Sequence, residues 1–215
     1  VSSRFLGVNR NKRSVSIDLR NPRCKVAFEE LVRNSDVLVD NWGSGAFRRL
    51  GLGYDHLSEI NPGLVYASIT GYGDSEDLSG PYSDRPANNL AIQAMSGWME
   101  ITGDPDGPPQ SVGDNIGDSI PGVWTALGIV LALETRRKTG RGQYLDIAMA
   151  EGVLYMLAGF VSSYLGQGTV TRRGGSRLNG GSPDYNIYQT KDGKYFTIAA
   201  LEPWFWENLC RALGR

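Results

Sequence analysis

Asp118 is the residue whose type and setting best suit covalent chemistry in this sequence of 215 residues. It stands between Gly117 and Ser119, shortly before Pro121, a pattern that predicts the N-cap of a long apolar helix reaching about residue 137. The start of a helix carries partial positive charge and unpaired N–H groups, which stabilise an ionised carboxylate and can hold a developing oxyanion. A carboxylate held there can attack an acyl carbon and form an anhydride or a thioester. Aspartate is also a preferred N-cap, so simple helix capping is the alternative explanation of this residue.

Other kinds of active site lack their usual residues in this sequence. The single histidine, His56, falls at the start of a predicted surface helix, whereas a Ser-His-Asp triad, a Cys-His dyad or a histidine-rich metal site would depend on it. Cys24 and Cys210 lie far apart and show no metal-binding spacing. The glycine motifs of dinucleotide and P-loop sites are missing as well. We therefore expect no metal, and chemistry carried out by carboxylates, amides, backbone donors and basic residues.

The composition is that of an ordinary globular protein, with 40% hydrophobic and 21% charged residues. The 22 basic and 23 acidic residues provide no basic excess for binding nucleic acid. The longest apolar stretch, residues 123–133, is interrupted by Thr125 and Gly128, and we expect it to be too short to span a membrane. The cysteine usage and an N-terminus that runs straight into charged sequence predict a cytoplasmic location. Because residue 1 is not methionine, we expect a part of a longer chain.

Alternating strands and helices predict an α/β fold, with a Rossmann-like parallel sheet and flanking helices. Strands are predicted over residues 14–18, 36–40, 63–69 and 143–147, and the first helix opens at Asn21-Pro22. Further helices are predicted near residues 54–61, 89–98 and 151–165. A glycine-rich connection over residues 166–182 leads to a hairpin around Gly193 and a last helix from Pro203. We therefore divide the chain into a large domain, residues 1–165, and a linker with the beginning of a smaller α+β domain, residues 166–215.

Basic residues follow two of the predicted strands. Arg20 comes after the first strand, and Arg48 and Arg49 come after the second, behind a turn at residues 43–45. Ligands of parallel sheets bind beyond the carboxyl ends of the strands, so these cations would be placed to meet a polyphosphate. Most charges of this kind only solvate a surface, which is the alternative.

Several stretches of the chain resemble the class III CoA-transferases, the family of formyl-CoA transferase and carnitine CoA-transferase. They occur in the family's order and cover nearly the whole chain. The matching stretches are residues 9–14 (NRNKRS), 16–19 (SIDL), 36–42 (DVLVDNW), 49–54 (RLGLGY), 61–65 (NPGLV), 93–97 (QAMSG), 102–109 (TGDPDGPP), 117–118 (GD) and 138–143 (KTGRGQ).

The resemblance implies a Rossmann-like large domain that binds coenzyme A, and two chains that interlock as a homodimer of linked rings. It places the family's catalytic aspartate at Asp118, which attacks an acyl-CoA to give a mixed anhydride and then an aspartyl-CoA thioester. A carboxylic acid acceptor then takes the CoA, without a metal or a histidine. The family's CoA contacts fall on Ile17, Asp18, Leu19, Arg20, Asn41, Trp42, Gly43, Arg49, Pro86, Ala87, Asn88 and Asn89. The glycine lid of the oxalate branch falls on Gly180 and Gly181.

The α-methylacyl-CoA racemases belong to the same family and are the main alternative. They share Asp118, the stretch over residues 178–183 and an acid that matches Glu202. Their catalytic histidine and the acid after it, however, align with Asn88 and Asn89, and an amide cannot carry the proton that racemisation moves. We therefore favour CoA transfer over racemisation. The oxalate-specific transferases also differ from this chain at Asn88 and Asn89. A non-catalytic CoA-binding or dimerisation module is the alternative from a different class.

Overall fold

A computed structural model describes residues 2–215 and shows an α/β fold around a parallel sheet of three strands. The strands are β1 (Val37–Asp40), β2 (Val65–Thr70) and β3 (Tyr144–Ala148), with β2 in the centre. In the register of the sheet, Val37 lies opposite Val65, and Tyr66 lies opposite Tyr144. The prediction of a parallel sheet with flanking helices is confirmed.

Ten helices accompany the sheet and the hairpin that follows it within the described residues. Helix α2 starts as the sequence predicts, because the side chain of Asn21 accepts a hydrogen bond from the N–H of Arg23 and Pro22 occupies the first helical position. The helices are α1 (Ser3–Val8), α2 (Pro22–Arg33), α3 (Ala46–Arg49), α4 (Tyr54–Ile60), α5 (Asn89–Met95), α6 (Trp98–Ile101), α7 (Ile116–Thr139), α8 (Met149–Tyr155), α9 (Ala158–Gln167) and α10 (Pro203–Ala212).

The hydrophobic core lies between the sheet and the helices α2 to α4. Leu52, Leu57 and Leu64 are fully buried there, next to Phe47 and Tyr66. Burying a leucine side chain of this kind contributes about 1.5–3 kcal/mol relative to leaving it in water. Because Phe47 of α3 is part of this core, the core also anchors the far end of the loop that runs from β1 to α3.

Two predicted elements differ from the structure. Residues 14–18 form no strand, because the alternation of the segment reflects the packing of Ile17 and Leu19 on the core rather than pairing with a neighbouring strand. The single helix predicted over residues 151–165 is two helices, α8 and α9. The chain turns between them, where the N–H groups of Met156 and Leu157 donate to the carbonyls of Val153 and Leu154 in the tighter pattern that ends a helix.

Helix α7 is longer than predicted and begins at Ile116 rather than Ser119. Its 24 residues include an 18-residue window with a mean hydropathy of 1.6, so by length and composition alone it could cross a membrane, whereas the apolar stretch considered in the sequence, residues 123–133, is only part of this helix. In this fold α7 packs against α5, α8 and the strands β2 and β3. The helix thus runs along the sheet, and its first turn lies near the carboxyl end of β2.

The last part of the chain contains an antiparallel hairpin, β4 (Tyr185–Gln189) and β5 (Tyr195–Ala199), followed by α10. Gly193 takes a positive φ of 81° in the turn, which favours glycine. The hairpin and the last helix are confirmed, whereas the domain boundary at residue 165 stays a prediction. Arg173 attaches the preceding segment to α6, since its guanidinium donates to the carbonyls of Met99 and Glu100.

Candidate functional site

A cleft of about 370 Å³ opens beyond the carboxyl ends of the parallel strands. Its walls come from the loop after β1, the end of β2, the loop before α5, the first turn of α7 and the start of α8. This is the edge of a parallel sheet at which ligands generally bind. The lining consists of residues 41–44, 69–71 and 85–87 together with Asp118 and Met149.

Six of the residues singled out from the sequence meet in this cleft. The segment directly after β1 forms one wall of the cleft. Its Trp42 ring lies edge-on to the buried ring of Phe47, with 5.2 Å between the ring centroids. Arg49 does not line the cleft, and its guanidinium donates to the carbonyl of Ser44 at 2.9 Å. The six residues are Asn41, Trp42, Gly43, Pro86, Ala87 and Asp118.

Other predicted site residues lie elsewhere. Residues 17–20 form the turn that leads into α2, where Leu19 is part of the core and the carboxylate of Asp18 accepts from the N–H of Arg20 at 3.1 Å. Gly180 lines a separate cavity of about 870 Å³ between the hairpin and residues 101–105, and the N–H of Gly181 donates to the carbonyl of Ser176 at 2.9 Å. Glu202 is exposed at the N-cap of α10. The structure does not bring any of these residues into the cleft that contains Asp118.

The first turn of α7 is held by a side chain from α5. The carbonyl oxygen Oδ1 of Asn89 accepts from the N–H of Gly117 at 2.9 Å. Only glycine fits at position 117, since a Cβ there would stand 2.9 Å from both the Cα and the carbonyl oxygen of Asn89. Gln93, which is fully buried, donates to Asn89 Oδ1 at 3.0 Å and accepts from the N–H of Val112 at 2.8 Å. Asn89 and Gln93 therefore fix the position of the turn that carries Asp118.

This arrangement corrects the predicted register of the helix. Asp118 is not the N-cap but lies inside the first turn, and Asn115 occupies the cap position without capping through its side chain. The N–H groups of Asp118 and Ser119 both donate to the carbonyl of Asn115, at 3.1 and 2.8 Å. With Gly117 capped by Asn89, the N–H groups at residues 117–119 are therefore already hydrogen-bonded in this structure. The expected supply of free oxyanion donors at these residues is not present.

Asn88 serves as an ordinary helix cap in the structure. Its Oδ1 accepts from the N–H of Ala91 at 3.0 Å at the start of α5. Asn88 and Asn89 thus each cap a different helix, and of the predicted CoA contacts at residues 86–89 only Pro86 and Ala87 line the cleft.

Asp74 was missed in the sequence and holds the loop after β1 in place. Its carboxylate is buried and accepts from the hydroxyl of Ser44, from the N–H of Gly45 at 2.9 Å and from both terminal nitrogens of Arg48 at 2.9 Å. We call these four residues the Asp74 clamp. The expected role of Arg48 toward a polyphosphate is therefore replaced by an internal ion pair with Asp74, whose carboxylate it meets in a bidentate geometry.

The clamp is also tied to the third strand. The N–H groups of Asp74 and Ser75 donate to the carboxylate of Asp146 in β3 at 2.8–3.0 Å. The hydroxyl of Tyr144 donates to Asp74 at 3.3 Å, and burial, foremost among several causes, raises the pKa of Tyr144 to about 12. All three strands of the sheet are thus linked at the edge where the cleft opens.

Arg85 is the one basic residue among those that line the cleft. The face of the Tyr82 ring lies 4.7 Å from its guanidinium carbon, and the Tyr72 ring stands 5.6 Å from that of Tyr82.

As for metals, residues 2–215 contain no group of three or more His, Cys, Asp and Glu side chains placed to hold an ion. The polar groups of the cleft are therefore a carboxylate, a guanidinium, hydroxyls and amides.

Comparison with known proteins shows which family this arrangement belongs to. The family model for CoA-transferase family III matches residues 1–215. The succinyl-CoA:mesaconate CoA-transferase of Haloarcula hispanica is 39% identical over 212 residues, which cover 98% of this chain and 53% of that protein. The succinyl-CoA–D-citramalate CoA-transferase of Chloroflexus aurantiacus is 37% identical over 206 residues, or 96% of this chain and 50% of that protein.

A solved structure has the same fold. The crystal structure of a CAIB/BAIF family protein from Brucella suis superposes with a TM-score of 0.82 at 34% identity, covering 96% of this chain and 53% of that one. The chain therefore spans about half the length of the curated relatives it matches. With the family model matched from end to end, the chain belongs to CoA-transferase family III.

Proposed function

We propose that the whole protein transfers coenzyme A from an acyl-CoA to a carboxylic acid, with Asp118 as the nucleophile. The observation that carries this proposal is the meeting of Asp118 with Asn41, Trp42 and Gly43 in one cleft, since the family resemblance assigns the latter three to CoA. Pro86 and Ala87 add a second wall of the same kind. A thioester whose CoA lay along these walls would have its acyl end close to the first turn of α7.

The proposed reaction needs only a carboxylate and the thiol of CoA. Asp118 attacks the thioester carbonyl, the C–S bond breaks, and a mixed anhydride and CoA thiolate result. The thiolate then attacks the aspartyl carbonyl, which releases the donor acid and leaves an aspartyl-CoA thioester. The acceptor carboxylate attacks this thioester to give a new anhydride, and the thiolate returns to the acceptor's acyl carbon. Asp118 is regenerated, and no proton is gained or lost overall.

The chain's own residues support the positioning that this chemistry requires. Reacting groups must be held in near-attack geometry, and a small displacement lowers the rate strongly. Asn89 and Gln93 hold the turn that carries Asp118, and the Asp74 clamp holds the opposite wall of the cleft. The proposal thus assigns substrate positioning to two hydrogen-bond networks, each built around one buried side chain, Gln93 or Asp74.

The substrates we propose are dicarboxylic acids and their CoA thioesters. The two relatives above carry succinyl-CoA, mesaconate and D-citramalate in their names, and each of these has a second carboxylate. Assembly as an interlocked homodimer follows from the family resemblance, and the cytoplasmic location follows from the cysteine usage. These two statements are predictions for the whole protein.

The racemase alternative receives no support from the site. Racemisation requires a second acid or base opposite the first, and the aligned positions hold Asn88 and Asn89. Both amides are used as helix caps. An amide that already caps a helix has neither the titratable proton nor the freedom that this role requires.

The proposal is tested by comparing two acids at the start of α7 in the whole protein. We expect Asp118→Asn to abolish CoA transfer, measured by separating the product thioesters, and Asp114→Asn to leave it nearly unchanged as the matched control. Incubation with 2-methylacyl-CoA in deuterated water tests for racemase activity, which would exchange the α-hydrogen for deuterium. Exchange of the α-hydrogen without CoA transfer to any acid would replace the proposal by a racemase.

A further inference from the structure

The cleft that contains the proposed nucleophile also contains one cation. Arg85 and Asp118 line the same cavity, and the remaining lining residues carry no charge. Among residues 2–215 no carboxylate forms an ion pair with Arg85, although Asp84 is its direct neighbour in the sequence. A guanidinium that is not neutralised by the protein is available to an anionic ligand in the cleft.

The side chain of Arg85 is exposed and rests against an aromatic ring. Its guanidinium carbon lies 4.7 Å from the centre of the Tyr82 ring, a cation–π contact, and Tyr82 is in turn packed beside Tyr72. The N–H of Arg85 donates to the carbonyl of Tyr82 at 2.8 Å, which closes the turn before Pro86. This contact uses the face of the Tyr82 ring, so the N–H groups of the guanidinium can still donate to a ligand.

The end group of the acyl chain determines whether the guanidinium of Arg85 can recognise it. An acyl group that ends in a methyl offers nothing to a guanidinium, whereas one that ends in a carboxylate can accept two parallel hydrogen bonds from it. The reacting carboxyl end of the substrate must lie at Asp118. The second carboxylate of a short dicarboxylic acid would therefore be repelled by Asp118 and attracted by Arg85.

We propose that Arg85 determines specificity by binding the second carboxylate of a dicarboxylic substrate while its first carboxyl group reacts at Asp118. This inference rests on the proposed function and adds the residue that selects the substrate class. The competing role of Arg85 is a contact with a phosphate of CoA. That contact would form with every acyl-CoA, whatever its acyl group.

The test is isotope exchange between an acyl-CoA and its own free acid, which requires no knowledge of the natural acceptor. Labelled succinate is exchanged into succinyl-CoA, and labelled butyrate into butyryl-CoA, whose acyl chain has the same length but ends in a methyl. The whole protein is compared with Arg85→Met and Arg85→Lys. Arg137→Met, at the exposed far end of α7, is the control for loss of a surface cation.

We expect Arg85→Met to lower kcat/KM for succinate exchange by roughly 10- to 100-fold, as is typical for loss of a hydrogen-bonded charge partner. Butyrate exchange should stay within about twofold, Arg85→Lys should recover part of the succinate exchange, and Arg137→Met should change neither. An equal loss for both acids would overturn the inference and assign Arg85 to the CoA moiety, and so would an undiminished succinate exchange.

The failure of this inference can be told apart from that of the proposed function. If the unaltered protein exchanges butyrate but not succinate, CoA transfer stands and the role of Arg85 is refuted. If the unaltered protein exchanges no acid with either thioester, the proposed function is contradicted, and the inference that rests on it is withdrawn as well.

Discussion

Removing the carboxylate of Asp74 should loosen the wall of the cleft formed by residues 41–44. In the Asp74→Ala variant the N–H of Gly45 and the hydroxyl of Ser44 lose their acceptor, and the guanidinium of Arg48 loses its bidentate partner. None of these groups belongs to Asp118, the proposed nucleophile, so the expected effect on chemistry is indirect. We expect a higher KM for acyl-CoA with a smaller change in kcat.

The size of the effect on stability follows from burial. Breaking a fully buried ion pair by removing one partner typically costs about 3–5 kcal/mol. The side chain of Asp74 is 6% exposed, but that of Arg48 is 43% exposed, so water takes over part of the hydration of the guanidinium. We therefore expect a loss of about 2–3 kcal/mol in the free energy of unfolding. For a chain of this size that corresponds to a fall in Tm of about 4–12 °C.

The assay is urea unfolding and thermal melting of Asp74→Ala beside a matched variant, Asp36→Ala. Asp36 also pairs with an arginine, since Arg136 Nη2 donates to it at 2.7 Å, but it lies just before the amino end of β1 and its side chain is 78% exposed. An exposed pair of this kind contributes about 0–1 kcal/mol. A double-mutant cycle with Arg48→Met measures how much of the loss belongs to the Asp74–Arg48 pair.

The reasoning is refuted if Asp74→Ala is no less stable than Asp36→Ala. A large loss of stability with an unchanged KM for acyl-CoA would also contradict it, because the clamp would then support the fold without shaping the cleft.

Three further predictions concern the helix start, a close backbone approach and the response to pH. Asn89→Ala should lower kcat about tenfold or more by freeing the first turn of α7. Asn88→Ala, which uncaps α5 only, should affect stability more than kcat. Equal kcat values for the two variants would contradict this. Gly142→Ala should destabilise the fold by about 3 kcal/mol or more in urea unfolding, because its Cβ would stand 1.9 Å from the carbonyl oxygen of Leu64; an unchanged midpoint would show that the backbone yields. The raised pKa of Tyr144 means that its contribution to stability is complete below about pH 10 and is lost as pH rises toward 12. Tyr144→Phe should therefore lessen the fall in the free energy of unfolding over this range. A pH profile identical to that of the unaltered protein would refute this.

The strands of the sheet could be predicted because their signals are local. Residues 36–40 and 63–69 are short apolar runs next to turn residues, and they became β1 and β2. Residues 14–18 alternate between apolar and polar residues as a strand does, but they pair with no other strand. Which extended segment joins the sheet depends on its partners in space, and these cannot be read from the segment itself.

The site was predicted in part, for a similar reason. Asp118 and the cleft residues after β1 follow from the family resemblance, but Asp74 looked like one more polar residue in a loop. Its hydrogen bond to Ser44 spans 30 positions of the sequence, and the cap of Asn89 on Gly117 spans 28. A local pattern therefore placed the N-cap of α7 at Asp118, whereas the cap that the structure uses comes from another helix.

The central claim is that Asp118 becomes acylated and then carries CoA. Its most direct test is to incubate the whole protein with succinyl-CoA, reduce it with borohydride, and map the peptides by mass spectrometry. An aspartyl thioester is reduced to the alcohol, so we predict homoserine at position 118 and no such change in protein treated without succinyl-CoA. Continued CoA transfer in the Asp118→Asn variant, or a trapped residue at any other position, would contradict the account.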